Sequence, residues 1–224
     1  LQRVHLNGGT VTDIKTGVQP FGIAVDHLAG KIYWADPNAN TISRCNMDGS
    51  GTQVIISGAG EADYSRMIKL DLTNGKIYWT DANLGTVKRA NLDGTGLQTI
   101  VTGQGNIVGL DLDVAANKLY FSSYSFSQIK RTNLDGTGLT VIVAAAGSVP
   151  LGLALDIPAG KIYWVNGTGG NTLKRCDLNG SNQVTLQSGM NLPYDIGLIP
   201  AMPVVLTVTD VNANAATCTS YVNV

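Results

Sequence analysis

The sequence predicts an all-β fold, a β-propeller of four-stranded blades, on three repeated strings in fixed order. KIYW occurs at Lys31, Lys76 and Lys161, with KLYF at Lys118, so the intervals are 45, 42 and 43 residues. R-x-N-x-D-G follows at Arg44, Arg89 and Arg131, with the variants RCDLNG at Arg175 and RVHLNG at Arg3. A third element precedes each KIYW: PFGIAVD from Pro20, SRMIKLD from Ser65, IVGLDLD from Ile107 and PLGLALD from Pro150. Each ends in an Asp five residues before the Lys: Asp26, Asp71, Asp113 and Asp156. A fifth copy, PYDIGLI from Pro193, has no KIYW after it.

Each unit reads as four short strands. GIAVD and its equivalents form the first, and KIYWAD and its equivalents the second, across the tight turns HLAG, LTNG, VAAN and IPAG. TISRCNM, TVKRANL, QIKRTNL and TLKRCDL form the third. The turns MDGSG and LDGTG then supply the φ > 0 residues of a hairpin, and TQVIIS, LQTIVT, LTVIVA and NQVTLQ form the fourth strand. No window shows a helical period, and 27 glycines are too many for one. The whole predicts about five blades or an incomplete six. The division is a propeller over residues 1–199 and a C-terminal strand pair over 200–224.

The recurring residues are first of all structural. Tyr33, Trp34, Tyr78, Trp79, Tyr120, Phe121, Tyr163 and Trp164 recur in register, as core packing between blades requires. The Asp before each first turn is placed to accept backbone N–H bonds. The recurring arginines are expected to tie each blade to an acid or carbonyl nearby. The D-G-[ST]-G turns lack the further carboxylates of a calcium site, so turn chemistry is the better account.

Composition excludes several function classes. Charged residues make up 14% and the net charge is −1, which argues against a nucleic-acid binder. Hydrophobic residues make up 44%, enough for a large core. The uncharged stretch from Gly136 to Leu155 is broken by glycines and Pro150 and coincides with repeat elements, so no membrane insertion is expected. The chain begins at Leu1 rather than Met and is read as a mature or trimmed piece of something longer.

Cys45, Cys176 and Cys218 are too few for a disulfide scaffold and lack metal spacing. Cys45 and Cys176 share one strand position in different blades, so no bond between them is expected. His5 and His27 have no companion at metal-ligand spacing. Both fall on the side opposite the variable loops, and no Ser-His-Asp constellation can be assembled. No metal, cofactor or catalytic residue is therefore assigned.

These motifs resemble the YWTD repeats, class B of the low-density-lipoprotein receptor. Tyr78-Trp79-Thr80-Asp81 carries the motif intact, and Tyr33-Trp34-Ala35-Asp36 is close to it. Tyr120-Phe121-Ser122-Ser123 and Tyr163-Trp164-Val165-Asn166 depart from it. The resemblance covers about residues 1–199 and implies a non-catalytic, extracellular propeller that binds protein. Family members usually have six blades, and this chain supplies fewer.

The tail reads two ways. VVLTVTDVNANAATCTSYVNV, from Val204, alternates as a strand pair does and resembles the last strands of a PKD-type or hyalin-repeat immunoglobulin-like domain, common on bacterial surface proteins. Alternatively, Val205 to Asp210 stands where KIYWTD would be. Residues 1–17 would then supply third and fourth strands, and residues 193–210 the first and second, joining the two ends of the ring.

Two candidate sites follow. At the crowded inner strand, Gly22, Met67, Gly109, Gly152 and Asp195 share one position, and Ala24, Lys69, Asp111, Ala154 and Gly197 share another. Lys69 and Asp111 lie on adjacent blades and are expected to pair, since either alone would be costly to bury. With Arg66 and Asp195 they would make a polar channel site. The variable loops, which open on one face, carry Tyr64, Arg66, Tyr124 and Phe126, residue types that anchor interfaces.

The expected partner is a protein or glycan on that loop face, or other copies or neighbouring domains of the same surface protein. The expected work is adhesion or surface assembly outside the cell. A structural subunit of a surface fibre, and a lyase or hydrolase with its site at the channel mouth, are the alternatives.

Overall fold

The computed structural model describes residues 1–3, 10–57, 65–146, 149–167 and 169–198, and the backbone of 202–209 and 215–222; of Ser65 and Arg66 it describes the backbone. Among the described residues every regular element is a strand. Blade 1 comprises β3 (Gly22–Asp26), β4 (Lys31–Asp36), β5 (Thr41–Asn46) and β6 (Gln53–Ser57). Blade 2 comprises β7 (Ser65–Asp71), β8 (Lys76–Asp81), β9 (Thr86–Asn91) and β10 (Gln98–Val101). Blade 3 comprises β11 (Ile107–Asp113), β12 (Lys118–Ser123), β13 (Gln128–Asn133) and β14 (Thr140–Val143). Blade 4 comprises β15 (Pro150–Asp156), β16 (Lys161–Asn166), β17 (Thr172–Asp177) and β18 (Val184–Gln187). Each is one antiparallel four-stranded sheet in chain order. Ahead of them β1 (Gln2–Arg3) pairs with β2 (Thr12–Asp13); after them β19 (Met202–Thr209) pairs with β20 (Ala215–Val222).

Turn chemistry sets the strand lengths. Asp26 Oδ1 accepts the Leu28 and Ala29 amides, and Asp71, Asp113 and Asp156 accept those of Asn74, Ala116 and Ala159. In the outer hairpins Asp48, Asp93 and Asp135 each accept both the amide and the hydroxyl of a Ser or Thr two residues on. Asn179 does the same with Ser181 in blade 4. A lysine braces the second strand to the third: Lys31, Lys76 and Lys118 reach Asn46, Asn91 and Asn133 at 2.5 Å. Lys161 reaches Asp177 instead.

The core lies between blades, which is why both faces of each second strand are apolar. Tyr33 and Ala35 of blade 1 pack with Ile68, Ile77 and Trp79 of blade 2. Tyr78 of blade 2 packs with Leu110, Leu119 and Phe121 of blade 3, and Tyr120 of blade 3 with Leu153, Ile162 and Trp164 of blade 4. Polar ties cross the same boundaries. Arg44 and Arg89 donate to the carbonyls of Leu92 and Leu134, at 3.0 and 2.9 Å. Thr80 and Ser122 donate to the carbonyls of Val108 and Leu151. Cys45 and Cys176 are buried, free thiols.

The stretch from Gly136 to Leu155 holds β14 and most of β15, and no described helix is long and apolar enough to cross a membrane. The fifth copy, at 193–198, joins no sheet. Its position is nonetheless that of a first strand: the Gly152 amide donates to the Tyr194 carbonyl, and Asp195 abuts Gly152 as Leu151 abuts Gly109.

Candidate binding face and channel

The loop between β12 and β13 is clamped to the link that enters blade 3. The Tyr124 amide donates to the Asn106 carbonyl, and the Asn106 amide to Ser125 Oγ, each at 2.8 Å. Ser123 Oγ donates to the Gln104 carbonyl at 2.7 Å. The intra-blade loops and the inter-blade links thus open on one face, because a strand pair that ends there hands the chain to its neighbour at the same level.

On that face lies a pocket of about 400 Å³ lined in part by Asn106, Val108, Tyr124, Leu151, Leu192 and Tyr194. Val108 and Leu151 form a buried floor, while Tyr124 and Tyr194 are 43% and 38% exposed. Among the described residues its lining carries no charged side chain. Asn106 Oδ1 is buried and accepts no hydrogen bond. A site of this make-up takes an uncharged group with an apolar face and one hydrogen-bond donor.

Of the four loop-face residues singled out in the sequence, the side chains of Tyr124 and Phe126 are described, and their surroundings differ. Tyr124 lines the pocket. Phe126 is 50% exposed but engaged: Lys130 Nζ stands 4.6 Å from its ring centroid. Lys130 also donates to Gln104 Oε1 at 2.6 Å, and burial pushes its pKa down. The reason is local. The equivalent lysine of blade 2, Lys88, lies 3.7 Å from the Asp81 carboxylate, whereas blade 3 has Ser123 at that place. A ring and an amide oxygen replace the missing carboxylate. Tyr64 and the Arg66 side chain lie outside the described residues.

In the channel Lys69 Nζ meets Asp111 Oδ1 at 3.1 Å, and Asp111 Oδ2 accepts the Leu155 amide at 2.9 Å. One carboxylate therefore links blades 2, 3 and 4. Asp195 is close enough to feel both charges. Burial pushes its carboxyl up, opposed by the Ile196 amide and the Lys69 ammonium.

Sequence reasoning passed over Leu192, Tyr194 and Asn106. A signal for Tyr194 was present: Pro193-Tyr194 repeats Pro20-Phe21, an aromatic at the start of a first strand. Asn106 has no such signal, because only the fold brings it beside Tyr194.

Comparison with known proteins agrees with this architecture. The fold is similar to a chain of the nidogen/laminin complex, at 23% identity and a TM-score of 0.74, covering 85% of this chain and 72% of that one. It is also similar to a protein of unknown function from Bacteroides thetaiotaomicron VPI-5482, at 19% identity and a TM-score of 0.66, covering 83% and 55%. A third similar structure is virginiamycin B lyase from Staphylococcus aureus, at 15% identity and a TM-score of 0.65, covering 89% and 69%. Residues 75–109, which run from blade 2 into the first strand of blade 3, match the family model of the low-density lipoprotein receptor repeat class B. The chain is an all-β array of propeller blades whose residues 75–109 match the low-density lipoprotein receptor repeat class B.

Proposed function

We propose that this chain is a non-catalytic, extracellular binding module that presents its loop face to a partner protein, in adhesion or surface assembly. The observation that carries the reading is the tyrosine-rimmed pocket on that face, uncharged among the described residues, with its unpaired Asn106 oxygen. Rigid blades hold the loops, and half-exposed aromatics above an aliphatic floor are the usual anchors of interfaces. A solved relative of the fold is a chain of a protein–protein complex, in keeping with such a role. The pocket would take an uncharged peptide segment, or a glycan by stacking on the tyrosines. The propeller would span 1–199, with 200–224 a C-terminal strand pair that either ends a neighbouring immunoglobulin-like domain or closes the last blade.

A lyase reading draws on the likeness to virginiamycin B lyase. Against it, His27 sits in the turn between β3 and β4, away from the loop face. Among the described residues no group of three His, Cys, Asp or Glu side chains is arranged to hold a metal ion.

Selection of a displayed peptide library and a glycan array on the purified chain tests the proposal. Ligands should be enriched, and Tyr124→Ser with Tyr194→Ser should weaken them at least tenfold without lowering Tm by more than a few degrees. Enrichment that is indifferent to both substitutions rules out the pocket.

A further inference from the structure

One sector of the ring holds three strand positions of a blade. β1 and β2 are its third and fourth strands. Arg3 faces Thr12, as Arg44 faces Gln53, Arg89 faces Gln98, Arg131 faces Thr140 and Arg175 faces Val184. A Cβ on Gly49 would lie 1.9 Å from the Ile14 carbonyl oxygen. Cβ atoms on Gly94, Gly136 and Gly180 would meet those of Ile55, Ile100 and Ile142 at 2.0 Å. So β2 packs on blade 1 as every fourth strand packs on the blade that follows. Segment 193–198 holds the first position, against blade 4 through the Gly152–Tyr194 hydrogen bond and against blade 1 through Phe21.

The second position marks blade 1. Ile23 is 52% exposed, although its equivalents Ile68, Leu110 and Leu153 are 2%, 0% and 0% exposed. A cavity of about 270 Å³ opens there, lined by Leu1, Ile14, Ile23, Val25, Ile32 and Met47 among others.

We infer that Val204–Thr209 of this same chain occupies that slot as the second strand of a fifth blade. In all four complete blades the second strand begins nine residues after the hub position: Gly22 to Lys31, Met67 to Lys76, Gly109 to Lys118 and Gly152 to Lys161. Nine residues after Asp195 stands Val204, one residue ahead of the start that matching Val205–Asp210 to KIYWTD gives, so the spacing shifts that register by one. The third and fifth residues of a second strand face the next blade, as Tyr33 and Ala35 do. Here these are Leu206 and Val208, which would cover Ile23, Val25 and Ile32. The remaining face would carry Val205 and Thr207 toward blade 4. β19 would exchange β20 for the 193–198 segment and β1, strand edge for strand edge, with the short link keeping it at high effective concentration.

Two measurements on the full chain decide this. With Cys218→Ser as background, Ile23→Cys/Leu206→Cys should form an internal disulfide under mild oxidation. Its yield should exceed at least tenfold that of Leu28→Cys/Leu206→Cys, where Leu28 is exposed in the neighbouring turn. Equal yields overturn the inference. In the unaltered chain the amides of 204–209 should exchange with deuterium at least tenfold more slowly than those of 215–222. Equal protection of the two strands marks an independent hairpin and overturns it whether or not the cysteine variants fold.

Discussion

The ring of Phe21 meets the ring of Tyr194 edge-on, with centroids 5.2 Å apart. Phe21 precedes the first blade and Tyr194 follows the last, so this contact brings the two ends of the blade array together at the hub. Edge-to-face pairs of this kind contribute about 0.5–1.5 kcal/mol beyond the area they bury. In a double-mutant cycle, Phe21→Leu and Tyr194→Leu should show a coupling of about 1 kcal/mol by denaturant unfolding. A coupling of zero would mean the ends do not meet in solution.

Glycine matters in the outer hairpins because of the neighbouring blade, and in the inner turns only because of backbone geometry. Gly136 has φ +89° and no room, whereas Gly75 has φ +63° and nothing within 4 Å of its Cβ site. Gly75→Ala should cost about 1 kcal/mol, the strain of a left-handed residue. Gly136→Ala should cost about 3 kcal/mol or more, since an inter-blade contact must open. Urea midpoints of the two variants check the ranking.

Acid should act on blade 4 through Asp177. The Lys161 ammonium, with Asn182 and Ser181, holds the Asp177 carboxyl at about 2, below its ordinary 3.8. The folded state therefore binds its proton later than the unfolded chain. This stability is complete above pH 3.8 and is lost as pH falls from there through about 2. Asp177→Asn, which copies Asn46, Asn91 and Asn133, should leave Tm at pH 7 little changed and flatten its fall in that window. An unaltered acid slope would refute the assignment.

Asp195 should behave in the opposite sense. Its folded pKa is raised by burial, so the folded state binds the proton more tightly than the unfolded one, and stability declines as pH rises above 3.8. Asp195→Asn should raise Tm at pH 7 relative to the parent, with the difference shrinking toward pH 3. A loss of Tm at pH 7 would show that the carboxylate is held by a favourable charge contact instead.

The repeat period alone placed most strand starts within a residue or two, as KIYWTD and β8 show. The aspartate before each first turn lies two or three residues from the amides it accepts, so its chemistry was legible, whereas the lysine–asparagine brace joins residues fifteen apart and was not read from the sequence. The binding face was legible only in part. Tyr124 and Phe126 looked alike as loop aromatics, yet one lines a pocket and the other covers Lys130. That difference comes from Ser123 replacing an aspartate, and a lysine seven residues further on feels it only after the strands have paired.

The sequence by itself determined the blade: strand order, register, turn residues and the two apolar faces, all set by contacts within some forty residues. Only the tertiary structure decided how the ends relate. Phe21 against Tyr194, Asp111 holding three blades, and Ile23 bare where its equivalents are covered all depend on which surfaces the ring brings together. Alternation says that a face must be buried. It does not say what covers it, because that depends on surfaces far apart in the chain.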